Sequence, residues 1–124
     1  EKVVNVTDYP DMQELLCGVD FGITDYSSWM CDFVLTNKPG FLYTSDIEKY
    51  VDERGFYYPL ESSPFPVAKT NEELCNKILS FDEKKYKKDV KEFLKDKGCC
   101  EEGDASKKVI EFILKLNKEL NYED

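Results

Sequence analysis

Short apolar runs alternate with stretches of helical spacing along the first 43 residues. Val3, Val4 and Val6 form a β-branched run that stops at Thr7-Asp8-Tyr9-Pro10, which predicts a buried strand over Val3–Val6 and then a turn. Asp11 and Glu14 have the spacing of a capping box, and Met12, Leu15, Leu16 and Val19 supply one apolar face, so a helix follows and ends near Gly18. Phe21–Thr24 reads as a second strand. The polar stretch Thr24-Asp25-Tyr26-Ser27-Ser28 then leads into helical spacing from Trp29 to Leu35, which Lys38-Pro39 breaks before a third strand at Phe41–Tyr43. Strands and helices alternating at this length imply parallel strands joined by crossovers.

Beyond residue 43 the pattern loosens. A short helix is predicted over Asp46–Val51, Arg54-Gly55 is a break, and Pro59, Pro64 and Pro66 mark an ordered loop region with a further strand near Pro66-Val67-Ala68. From residue 69 the spacing is helical. Thr70 with Glu73 and Ser80 with Glu83 read as capping boxes opening successive helices, and Asp104 caps a last one carrying Val109, Ile110, Phe112, Ile113, Leu114 and Leu116. No repeat or linker divides the chain, so residues 1–124 are expected to form one domain.

Composition narrows the chemistry. Hydrophobic residues make up 41% of the 124 positions, enough for a folded core despite 35% charged residues. Seventeen Lys and Arg against 26 Asp and Glu give a net charge of -9, which repels a nucleic-acid backbone and argues against nucleic-acid partners. No apolar run approaches the roughly 20 residues that span a bilayer, and the first residues lack a signal-peptide pattern, so the chain is expected neither to cross nor to enter a membrane unaided. There is no His, which rules out a His-based acid-base mechanism completed within these residues. The five Cys follow no metal-ligand spacing: Cys17, Cys31 and Cys75 fall in apolar-periodic segments, and a bridge between adjacent Cys99 and Cys100 would be strained. Scattered thiols in odd number suit a reducing cytoplasm, and neither a metal nor a cofactor is expected, a zinc site on the thiols being the lesser alternative.

The best candidate for binding is the turn Ile23-Thr24-Asp25-Tyr26-Ser27-Ser28. A turn from a parallel strand into a helix points free backbone N–H groups at one place, and Ser27 and Ser28 add hydroxyl donors, a combination that suits phosphate. Ser is also a favoured N-cap in any helix, so the same pattern fits a purely structural cap. Asp32, four residues past Ser28, could accept bonds from a ribose diol or simply be a solvated carboxylate on a helix flank. Tyr9 and Asp11 follow the first predicted strand at the same sheet edge, where Tyr9 could wall a base pocket or merely pack beside Pro10. Arg54, the sole arginine, and Lys38 are the cations outside the Lys-rich helices and could neutralise phosphate or serve the surface.

These residues resemble one family, the CDP-glycerol glycerophosphotransferases that build poly(glycerol phosphate) teichoic acids in bacteria. The matching string runs Val6-Thr7-Asp8-Tyr9-Pro10-Asp11-Met12, Glu14-Leu15-Leu16, Asp20, Ile23 to Ser28, Asp32-Phe33, Asn37-Lys38-Pro39, Tyr43, Asp46, Tyr50 and Arg54-Gly55-Phe56-Tyr57, with weaker likeness through Thr70, Glu73 and Leu74 to Ser106. Phe65 stands where a Gly commonly precedes Pro66, and Glu102 replaces the usual Asp before Gly103.

The resemblance implies a Rossmann-like three-layer α/β domain with a small parallel sheet, the C-terminal half of a GT-B glycosyltransferase fold, ending in several helices. It implies that Thr24, Tyr26, Ser27 and Ser28 hold the CDP diphosphate and that Asp32, Tyr9 and Asp11 lie at the ribose and nucleoside, with the N-terminal acceptor domain and the catalytic histidines upstream of this segment. The whole enzyme would transfer glycerol phosphate from CDP-glycerol to a polyol-phosphate polymer at the cytoplasmic face of the membrane and release CMP, whereas these residues alone are expected to be inactive. The alternatives are a non-catalytic nucleotide-binding module and a GT-B domain using another activated donor such as CDP-ribitol.

Overall fold

The computed structural model describes residues 3–53, 55, 56 and 58–120. The chain divides into two compact units, Glu1–Leu94 and Lys95–Asp124. The first unit is built on a parallel three-stranded sheet in the order β1 (Gly22–Thr24), β2 (Gly40–Tyr43), β3 (Val67–Ala68), with Gly22 opposite Gly40 and Leu42 opposite Val67. Helices α1 (Met12–Gly18) and α2 (Trp29–Phe33) flank β1 in sequence, α3 (Ile47–Glu53) follows β2, and α4 (Asn71–Leu79) and α5 (Glu83–Asp96) follow β3. The second unit carries α6 (Ala105–Leu120), whose first helical bond runs from Lys108 N–H to the Asp104 carbonyl. The expected α/β class with a small parallel sheet is therefore present.

The caps explain where the helices begin. Asp11 accepts the Glu14 N–H at 3.0 Å to open α1, and Thr70 accepts the Glu73 N–H at 3.2 Å to open α4. At α5 the cap differs from the expected Ser80 with Glu83. The Asp82 carboxylate accepts the Lys85 N–H at 3.0 Å, while the Ser80 hydroxyl donates backward to the Asn76 carbonyl at 2.7 Å and so closes α4. Phe81 lies between them, packed on the core, and its placement moves the start of the next helix past Ser80. The predicted helix over 29–35 is α2 continued by a 3-10 turn at Val34–Thr36, and Asn37 ends it in the left-handed conformation with φ 56°.

The expected strand at Val3–Val6 is not formed. The segment is irregular, and Val3 and Val4 are 95% and 73% exposed. A β-branched run becomes a strand only when a ladder takes its backbone groups, and no strand pairs with it among the described residues. Local bonds take its place: Asn5 Oδ1 accepts both the N–H and the hydroxyl of Thr7, and Tyr9 N–H donates to the Val6 carbonyl.

The core gathers Leu16 from α1, Met30 and Phe33 from α2, Val34, Leu42 from β2, Leu60, Phe65, and Tyr86 and Val90 from α5. Phe65 is thus a core residue, and its ring occupies the space that a Cβ on Gly40 would need. Gly40→Ala is expected to cost on the order of 1–3 kcal/mol through overpacking. Urea denaturation checks this, and an unchanged midpoint would show that the Phe65 ring swings aside freely.

Candidate functional site

Because the strands are parallel, the loops after β1, β2 and β3 emerge at one sheet edge, the edge where open α/β sheets hold ligands. The loop after β1 is the serine turn. Thr24 ends the strand, the Asp25 carboxylate accepts the Tyr26 N–H at 2.6 Å, and Ser27 and Ser28 lead into α2. Ser28 stands at the N-cap position with helical φ and ψ, and its side chain makes no cap hydrogen bond. The structural reading of that hydroxyl as a cap is therefore unfulfilled here, and the group is exposed.

Tyr26, Ser27 and Ser28 line a cavity of about 270 Å³ together with Met30, Cys31, Tyr50, Phe56 and Leu60. Its aromatic wall is tightly organised. The rings of Tyr26 and Tyr50 stack with centroids 3.9 Å apart, and Tyr50 stacks on Phe56 at 5.1 Å. The Tyr26 hydroxyl donates to Asp46 Oδ1 at 2.8 Å. Burial, reinforced by that carboxylate acceptor, pushes the Tyr26 phenol above its ordinary range.

The other expected site residues lie elsewhere. Asp32 lines a second cavity of about 430 Å³ with Gln13, Leu16, Cys17, Leu35 and Lys38, on the α1 side of α2. The Lys38 ammonium donates to the carbonyls of Cys17 and Val19 at 2.6 and 2.7 Å, so it neutralises the C-terminal end of α1. Asp11 caps α1, and Tyr9, 43% exposed, stands in the turn just before it. Arg54 lies outside the described residues. Asp46, Tyr50 and Phe56 were not among the expected site residues. The signal for them was topological: in a parallel sheet the segment after β2 must reach the same edge as the segment after β1.

All five cysteines are free and exposed, including the three that fall in apolar-periodic segments. No cluster of His, Cys, Asp or Glu among the described residues could hold a metal ion. No helix of the described residues is long and apolar enough to cross a membrane.

A parallel sheet with helices following its strands places the first unit in the Rossmann-like α/β class, the class of one half of a GT-B glycosyltransferase. The structure of the wall teichoic acid polymerase TagF superposes with a TM-score of 0.73 at 31% identity, covering 93% of this chain and 29% of that one. A TagF variant soaked with CDPG superposes with a TM-score of 0.74 at 31% identity. The model of the family described as CDP-glycerol:poly(glycerophosphate) glycerophosphotransferase matches residues 1–115, and the chain belongs to that family. It is 38% identical over 116 residues to the teichoic acid poly(glycerol phosphate) polymerase of Bacillus spizizenii, covering 92% of this chain and 29% of that protein. It is 35% identical over 112 residues to the teichoic acid ribitol-phosphate primase of the same organism, covering 90% of this chain and 28% of that protein. The chain thus spans about three tenths of the length of these relatives.

Proposed function

We propose that this chain is the donor-nucleotide-binding part of a transferase that moves glycerol phosphate from CDP-glycerol to a teichoic-acid-type polymer or its primer, releasing CMP. The observation that carries the reading is the serine turn of a family member held at the carboxyl edge of a parallel sheet, with the Ser28 hydroxyl left unused by the helix behind it. Backbone N–H groups and the two hydroxyls of that turn suit a diphosphate. Thr24 and Tyr26 frame it, and Asp32 with Tyr9 and Asp11, on the α1 side, receives the ribose and base. Lys38 serves α1 in this structure, so phosphate neutralisation is left to the turn's amides and to Arg54.

The chain has no histidine, and on this reading the groups that catalyse transfer and bind the polymer belong to the rest of the protein, which works at the cytoplasmic face of the membrane. A ribitol donor is the second reading, favoured by the 35% identity to a ribitol-phosphate primase.

Backbone amide shifts of the chain titrated with CDP, UDP and GDP test the proposal. CDP is expected to shift amides between Asp25 and Asp32 with a dissociation constant on the order of 0.1–10 mM, or about 3–5 kcal/mol, because the -9 charge opposes an anion and part of the site is supplied elsewhere. No shift in that segment at high millimolar CDP would overturn the donor-site reading, and equal response to all three nucleotides would remove the cytidine assignment. CDP-glycerol against CDP-ribitol in competition then separates the two donors.

A further inference from the structure

The residue before α3 and a residue within it hold Tyr26 at two points. Asp46, whose carbonyl accepts the Tyr50 N–H that begins the helix, accepts the Tyr26 hydroxyl with its carboxylate. Tyr50, four residues on and so on the same helix face, stacks its ring against the ring of Tyr26. Tyr26 is the residue immediately before Ser27, and Tyr26, Ser27 and Ser28 line one cavity with Tyr50 and Phe56. The loop after β2 therefore grips the loop after β1 at the residue next to the serines. A carboxylate here is otherwise unfavourable for the proposed ligand, because Asp25 already places negative charge in the turn, and a second negative group repels an anion.

We propose that Asp46 is a positioning residue for anion binding: by accepting the Tyr26 hydroxyl it fixes Tyr26 on Tyr50 and so holds Ser27 and Ser28 in their binding arrangement. The inference rests on the reading of Ser27 and Ser28 as the diphosphate site. It separates cleanly from a role for Asp46 as a mere surface charge, since the two make opposite forecasts. A surface charge predicts that any neutral replacement tightens anion binding. A positioning role predicts that the replacement must still accept the bond.

The experiment titrates the wild-type chain, Asp46→Asn, Asp46→Ala and Tyr26→Phe with CDP and with inorganic pyrophosphate, following the Ser27 and Ser28 amides. Asp46→Asn keeps an acceptor oxygen and loses the charge, and it is expected to bind as tightly as wild type or up to a few-fold tighter. Asp46→Ala and Tyr26→Phe lose the bond from either side, and each is expected to bind both probes about five-fold more weakly, with faster exchange of the Ser27 and Ser28 amides. The amide spectrum of core residues such as Val90 reports that each variant is folded. Equal or tighter binding by Asp46→Ala overturns the proposal, as does a loss in Asp46→Asn as large as that in Asp46→Ala. Failure of the wild-type chain to bind either probe overturns the Ser27–Ser28 reading itself and this inference with it, an outcome distinct from wild-type binding that the variants leave unchanged.

Discussion

Phe33→Ala is expected to lower stability by about 3–5 kcal/mol, a large share of the roughly 5–15 kcal/mol that holds a domain of this size together. Phe33 is fully buried and belongs to the same core as Leu16, Val34 and Leu42, with the Trp29 ring edge-on at a centroid distance of 5.1 Å. Truncation leaves a cavity bounded by elements that cannot all close on it, because α2 is only five residues long and runs directly into a 3-10 turn. Thermal or urea unfolding followed by circular dichroism should show a midpoint lower by more than about 10 °C, and Phe33→Leu should lose much less. A shift of one or two degrees in Phe33→Ala would mean that the core does not depend on this ring. Phe33 also ends the short helix that begins at the serine turn.

Much of this fold could be read from local signals. The strands at β1 and β2 follow from their apolar runs, α1 and α4 from Asp11 and Thr70, and the end of the α2 segment from Lys38-Pro39. What local signals do not carry is partnership. Val3, Val4 and Val6 have the composition of a strand, yet strand formation depends on a neighbouring ladder that these residues do not supply for themselves. The start of α5 failed for a similar reason: Ser80 and Asp82 are both competent caps, and the packing of Phe81 chose between them.

The site divides along the same line. The serine turn is contiguous and was legible from residue types alone. The aromatic wall joins positions 26, 50 and 56 and the carboxylate at 46, which no helical or strand period relates; only the parallel pairing of β1 with β2 brings their following loops together. Helical spacing suggested that Asp32 shares a face with Ser28. The structure gives Asp32 to the cavity on the α1 side and Ser28 to the cavity on the α3 side, so α2 stands between two recesses. On the proposed reading the ligand lies across the start of α2, with its anionic centre at the serines and its ends on either side.

Replacing Ser27 and Ser28 together with Ala is expected to weaken CDP binding about ten-fold or more while leaving the unfolding free energy within about 0.5 kcal/mol of wild type. A hydrogen bond from each hydroxyl to a phosphate oxygen contributes about 0.5–1.5 kcal/mol net, and about 1.4 kcal/mol corresponds to a factor of ten. The backbone N–H groups survive the substitution, so a residual attraction of roughly 0.3–1 kcal/mol remains at the helix start. Stability is the discriminating half of the result. A serine that caps a helix through its hydroxyl loses about 0.5–2 kcal/mol on change to alanine, and such a loss here without any change in CDP affinity would return these residues to a structural role. The geometry argues against that outcome, since Ser28 holds helical backbone angles and its side chain caps nothing. Asp32→Ala extends the argument along the ligand: it is expected to weaken CDP and leave inorganic pyrophosphate unaffected, because its cavity lies on the side assigned to the ribose. Equal weakening of both would place the carboxylate at the phosphates instead.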